Sequence, residues 1–158
     1  NSANIDFIMN LQGDEPLMNI DDIRNLNDKM KKNQSYLGTL ASKIKDKNLY
    51  ENKNIVKVST KEKLDNLNFP EAINFMREII EKSENIYHHL GIYCYQKETL
   101  ENFVSFNQSS NELKNKLEQL RALDNDIKIN VALAKTSPIG VDTEEDFLAI
   151  KKIMEYKS

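Results

Sequence analysis

HHLGIYCYQ, residues 88–96, is the stretch on which the class of fold turns. It is rich in residues that favour extended backbone. Period-two alternation assigns Leu90, Ile92 and Cys94 to one face and His89, Gly91, Tyr93 and Tyr95 to the other. A helix is expected next, over Lys97 to Val104, and ELKNKLEQLRAL (112–123) reads as a second one with Leu113, Leu117, Leu120 and Leu123 as its stripe. IKINVALA (127–134) returns to strand chemistry, and Thr143 with Asp146 opens a last helix whose inner stripe is Phe147, Ile150 and Met154.

The alternation continues towards the N-terminus. Asp6 to Leu11 reads as a short buried strand, and Asn19 caps a helix with Ile20, Ile23, Leu26 and Met30 as its stripe. Tyr36 to Ile44 and IVKVS (55–59) are strands, with KDKNLYENKN (45–54) as a polar connection between them. Residues 60–71 are charged and irregular. Alternating strands and helices predict one α/β domain over residues 1–158, a mixed, mainly parallel sheet flanked by helices.

The bulk numbers exclude several roles. With 158 residues, 39% of them apolar and 30% charged, the chain suits one globular domain. No apolar run approaches the roughly 20 residues of a membrane span, and no signal segment opens the sequence, so a cytoplasmic protein without membrane partners is expected. A net charge of −3 gives no electrostatic case for nucleic acid. The single cysteine, Cys94, rules out an internal disulfide and reads as a buried strand residue. His88 reads as exposed. Lysine does nearly all the solubilising, so the three arginines, Arg24, Arg77 and Arg121, hint at a use for the planar guanidinium fork.

Glycine is scarce, with four in the chain, and all but Gly38 sit within polar or aromatic clusters. Gly13-Asp14 follows the first strand directly, and Gly140-Val141-Asp142 follows the last after a short loop. Ligands of open α/β sheets bind beyond the carboxyl ends of strands. Two aspartates delivered there can meet on an oxygen-loving cation. Equally, Asp14 can complete an Asx turn and Asp142 can help cap the last helix. His89 and Tyr93 share a strand face, either as site residues or as half-buried hydrogen-bonding groups. Glu118 and Arg121, three apart, are spaced for a surface pair contributing about 0.2–0.5 kcal/mol.

NLQGDEPLM, EAINFMR, HHLGIYCY, LEQLRAL and IGVDTEEDF occur here in the order in which the CMP-Kdo synthetases carry similar blocks. From about Ile5 to Ile153 the chain resembles those 3-deoxy-manno-octulosonate cytidylyltransferases. The resemblance implies a Rossmann-like nucleotide-diphospho-sugar transferase fold and a Mg²⁺-dependent transfer of CMP from CTP to Kdo. The products would be pyrophosphate and an activated sugar for lipopolysaccharide. It implies Asp14 and Asp142 as the catalytic metal carboxylates and Gln12 as a substrate contact. Arg77, His89, Tyr93, Glu118 and Gln119 would line the acidic-sugar pocket, with a homodimer as the assembly.

Three features depart from the family pattern. The opening strand and Arg-, Lys- and Gly-bearing loop that hold CTP do not precede Asn1, so the chain resembles the C-terminal portion of such an enzyme and is expected to be nearly inactive alone. NFMR stands where YFSR is usual, followed by EIIEKS. SSNELKNK keeps Glu112 but has Asn115 in place of a second acid. These departures leave two alternatives: a non-catalytic sugar-acid-binding or oligomerisation module, and the same chemistry on another sugar acid, such as an amino-Kdo or a sialic acid.

Overall fold

A computed structural model describes residues 6–11, 18–45, 47–79, 84–135 and 144–155. The strand that anchors it is β5 (Ile86–Gln96), which begins two residues before the stretch read from the sequence and ends with it. The alternation read from the sequence is realised on both faces. Leu90, Ile92 and Cys94 pack with Leu26, Met30, Leu40 and Ala132. Tyr87, Tyr93 and Tyr95 pack with Phe75, Phe103, Leu120 and Val131 on the other side. Burial pushes the Cys94 thiol up to about 11, which suits an inert core position.

β1 (Phe7–Leu11) and β3 (Lys57–Thr60) share one edge of β5, β1 along its C-terminal half and β3 along its N-terminal end. β2 (Leu37–Ser42) lies along the other edge, and β6 (Ile129–Leu133) pairs with β2. β4 (Ala72–Met76) extends the sheet beyond β3. The chain entering β4 also reaches the outer strand β6, where Glu71 bridges Asn130 and Val131 N donates to Pro70 O at 2.8 Å.

The sheet is mixed and helix-flanked, as expected, but it is not mainly parallel among the described strands. Only β2–β6 pairs in parallel; β5 runs antiparallel to β1, β2 and β3, and β4 antiparallel to β3. The physical reason is an insertion. The crossover through α1 (Ile20–Asn33) does return β2 in the direction of β1, but β5 occupies the place between them. Order along the chain dictates direction, not neighbours.

α1 begins as its cap predicts: Asp21 N donates to Asn19 Oδ1 at 2.9 Å. Leu26 and Met30 are buried, while Ile20, the first residue of the expected stripe, is 59% exposed. The helix lies directly on Gly38. A Cβ there would stand 2.5 Å from Met30 Sδ and 3.0 Å from both Leu26 Cδ1 and Phe69 Cζ, so a side chain fits only if a neighbour moves. The irregular 61–71 segment is held by its backbone: Lys29 Nζ donates to Asn66 O at 3.0 Å and Asn68 O at 2.8 Å, and Leu64 N donates to the Tyr87 hydroxyl at 2.8 Å.

Further expectations are corrected, the first being the buried strand read over Asp6 to Leu11: β1, paired only with β5 among the described strands, is half-buried at Phe7–Met9 and exposed at Asn10 and Leu11. The polar connection contains a short helix, α2 (Lys47–Glu51). β4 carried no strand signal in the sequence because Ile73 and Asn74 are both exposed and break the alternation. After α3 (Lys97–Ser105), the single helix expected over 112–123 is two, α4 (Ser110–Asn115) and α5 (Leu120–Asp124). Lys116 adopts φ 53° and ends α4, with its N–H donating to Glu112 O. Leu113 is consequently exposed, whereas Leu117 and Leu120 are buried. The last helix, α6 (Glu144–Glu155), starts near its expected cap, but Thr143 and the side chains of Phe147, Ile150 and Met154 lie outside the described residues.

Candidate active site

His89, Tyr93 and Tyr95 on one face of β5 form a continuous row of rings with Phe75 of β4 and Phe103 of α3. Phe75 meets His89 edge-on with centroids 5.0 Å apart; His89 to Tyr93 is 5.5 Å, Tyr93 to Tyr95 6.1 Å and Tyr95 to Phe103 5.8 Å. These spacings suit edge-to-face and tilted contacts between aromatic quadrupoles. The Arg121 guanidinium closes the row, 4.9 Å above the Phe103 ring.

His89 and Tyr93, predicted as a pair, are thus in ring contact and both buried. The His89 partner is Thr39, which no local sequence signal marks. Thr39 sits where the β2–β5 register shifts. Its hydroxyl donates to Ile92 O at 2.6 Å and lies 2.9 Å from His89 Nε2. A hydroxyl has one proton to give. With that proton on Ile92 O, the Thr39 oxygen accepts from His89 Nε2–H, which fixes the tautomer. Burial, with the neighbouring His88, pushes the His89 pKa down to about 3, so the imidazole is neutral. His88 itself is half-buried between β2 and β3, not exposed, and burial lowers its pKa as well.

Arg77 follows β4 directly. Its guanidinium donates to Asn54 O at 3.1 Å, and its own carbonyl accepts from Lys57 Nζ at 2.8 Å. Glu118 is exposed but close enough to Tyr95 that its charge, after burial, helps push that phenol up to about 12. Gln119 is buried at the start of α5. Two clefts lined by described residues, of about 730 and 380 Å³, lie around Gln96–Lys97 and Asn125–Lys128, and none of these five residues lines them.

The Glu118–Arg121 surface pair gives way to a buried one. Arg121 Nε donates to Glu112 Oε2 at 2.8 Å and its terminal nitrogen to Oε1 at 2.5 Å, with side chains 14% and 6% exposed. The hint that a retained arginine serves as a fork is realised here, whereas Arg24 makes only an exposed contact to Asp21 at 3.5 Å. Glu112 also closes the capping box with Ser109. Its carboxyl is held down at about 2, chiefly by Arg121.

Gln12, Asp14 and Asp142 lie outside the described residues. The chain on either side of those stretches is described. β1 and β6 run in the same direction and finish at one edge of the sheet: Leu11 pairs with Ile92, and Ala132 with Leu40. Asp22, which follows the first stretch in α1, is 1% exposed and accepts from Lys135 N at 3.0 Å, the last described residue before the second.

The described residues form a mixed α/β sheet with helices packed on both faces. The chain belongs to the cytidylyltransferase family, whose model matches residues 1–129. It is 40% identical over 153 residues to 3-deoxy-manno-octulosonate cytidylyltransferase of Thermodesulfovibrio yellowstonii, covering 94% of this chain and 60% of that protein. To the Bartonella tribocorum protein of the same name it is 36% identical over 149 residues, covering 93% and 60%. The chain thus spans about 60% of the length of these curated relatives. The solved structure of CMP:2-keto-3-deoxy-manno-octonic acid synthetase complexed with CTP matches with a TM-score of 0.83 at 27% identity, over 99% of this chain and 64% of that one.

Proposed function

We propose that the protein carrying this chain is a CMP-Kdo synthetase. It transfers CMP from CTP to the anomeric hydroxyl of Kdo and releases pyrophosphate. The named relatives support the reaction, and one geometric observation supports its location: the hydrogen bond from Lys135 N to Asp22 Oδ1. That bond ties the chain after Asp14 to the chain before Asp142. Both aspartates then belong to stretches rooted at one edge, where α/β sheets bind ligands.

Two carboxylates suit Mg²⁺, a hard cation that prefers oxygen donors. Asp14 and Asp142, which the family resemblance implies as the metal carboxylates, are the proposed ligands. Bound there, the ion would neutralise phosphate charge and orient the reacting groups. The protein's own residues do the rest by binding and positioning. Arg77 offers two parallel charge-assisted bonds to the sugar-acid carboxylate. Neutral His89, Tyr93, Glu118 and Gln119 contact the sugar, and Gln12 contacts substrate beside Asp14. The anomeric oxygen attacks the α-phosphorus, the bond to the β-phosphate oxygen breaks, pyrophosphate departs and the hydroxyl proton is lost. We further propose a cytoplasmic homodimer; among the described residues no helix is long and apolar enough to cross a membrane.

The test is pyrophosphate release by the full-length gene product with CTP, Kdo and Mg²⁺. Turnover should vanish with a chelator, and Asp14→Asn and Asp142→Asn should each lower kcat by about 100-fold or more. Unchanged kcat in both variants would overturn the metal assignment. CMP transfer to an amino-Kdo or a sialic acid, with none to Kdo, would replace the substrate.

A further inference from the structure

Among the described residues, Lys57 is the largest side chain with 0% of its surface exposed. Taking an ammonium out of water costs several kcal/mol unless hydrogen bonds replace its hydration. Here the replacements are two main-chain carbonyls. Lys57 Nζ donates to Asn52 O and, at 2.8 Å, to Arg77 O. The same short turn that receives Lys57 also receives Arg77, whose guanidinium donates to Asn54 O at 3.1 Å. Both cations are therefore pinned to residues 52–54, and Lys57 additionally grips the main chain of Arg77.

The register shows why that grip matters. The β3–β4 ladder has Lys57 opposite Met76 as its last pair, so Arg77 is the first residue beyond it. Its carbonyl receives a side-chain donor where the ladder no longer supplies a backbone one. The arrangement also places two like charges together: burial first, then Arg77, lowers the Lys57 pKa, with Glu78 opposing. A methionine would fill the same volume without desolvating an ammonium or facing a neighbouring cation. Packing alone therefore does not account for a lysine at this position.

We propose that Lys57 is a positioning residue for acidic-substrate recognition, fixing the Arg77 main chain at the end of β4 so that its guanidinium meets a substrate carboxylate. The inference rests on the assignment of Arg77 to the sugar acid. It adds a residue that never touches the ligand and acts only through another.

A double-mutant cycle in the full-length gene product tests it, using Lys57→Met, Arg77→Met and the pair, with Kdo as the sugar acid. Lys57→Met should raise KM for Kdo by about tenfold and leave KM for CTP and kcat within about twofold. The double variant should be no worse than Arg77→Met alone, because removing Arg77 removes what Lys57 holds. Lys57→Gln, with amide donors on a shorter stem, should fall between wild type and Lys57→Met. It should also speed hydrogen exchange in a peptide covering residues 72–79, which keeps the test available if the methionine variant does not fold. Additive losses, or equal losses for CTP and Kdo, would make Lys57 a purely structural residue and overturn the proposal. An effect of Arg77→Met with none from either Lys57 variant would overturn it alone. No effect of Arg77→Met on KM for Kdo would overturn the sugar-site reading and this inference with it.

Discussion

Glu112 and Arg121 show what a single pair of side chains imposes on its surroundings. The two are nine residues apart, which along a continuous helix would separate them by about 13.5 Å. They meet in a bidentate pair only because the chain breaks at Lys116 and α5 folds back. The carboxylate then serves the α4 cap, the guanidinium and, through it, the Phe103 ring at once. Removing one partner leaves a nearly buried charge uncompensated, so Glu112→Gln should cost about 3 kcal/mol at neutral pH. The pH dependence has a definite sign. The folded-state pKa of about 2 lies below the usual carboxylate value of 4.5, so the contribution is complete above pH 4.5 and is lost as pH falls towards 2. Urea titrations at pH 7, 4.5 and 2.5 should show wild type losing stability over that window more steeply than Glu112→Gln; parallel slopes would refute the assignment.

α1 and β2 illustrate how an element is positioned by an absent side chain. Gly38 has an ordinary strand conformation, so its role is close approach and not an unusual backbone angle. A methyl group there forces Met30, Leu26 or Phe69 to move. Gly38→Ala should destabilise the fold by about 1–3 kcal/mol in a urea titration, and Gly38→Val by more. A neutral Gly38→Ala would mean that α1 slides freely over β2. Such sliding matters beyond stability because α1 carries Asp22, the acceptor of the Lys135 bond. The sequence marks Gly38 only as the glycine standing apart from polar clusters, and nothing near it reveals that a helix lies on it. The breadth of β5 was equally hidden. HHLGIYCYQ reveals the two faces of the strand, but its extension back to Ile86 shows only in the ladder with β3, where Tyr87 pairs with Val58 and Ile86 with Ser59.

For the molecule as a whole, β5 is the shared member. β1, β2 and β3 all pair with it, both core clusters use its side chains, and the bridge from Glu71 to Asn130 joins the chain entering β4 to the far strand β6. β1, β2 and β3 cannot leave the sheet without unpairing an edge of β5. The expected consequence is one cooperative unfolding transition, with calorimetric and van't Hoff enthalpies equal. Two resolved transitions in a calorimetric scan would show that the sheet divides. The same sharing explains why the residues proposed for the sugar site were only partly legible. His89 and Tyr93 come from one strand and could be paired by period two. Thr39 reaches His89 from β2, and Lys57 reaches the Arg77 carbonyl from β3, through registers that no local pattern encodes.

Local chemistry decided what could be read directly from the chain. The α/β class, the Asn19 cap, the two faces of β5 and the family blocks all depend on residues within a few positions of one another. Those signals survive whatever the rest of the molecule does. Tertiary structure alone decided which strands are neighbours, why the sheet is largely antiparallel, and which partners satisfy His89, Lys57 and Arg121. Each of these depends on register between distant segments, and a buried polar group is stable only where that register brings it a hydrogen-bonding partner.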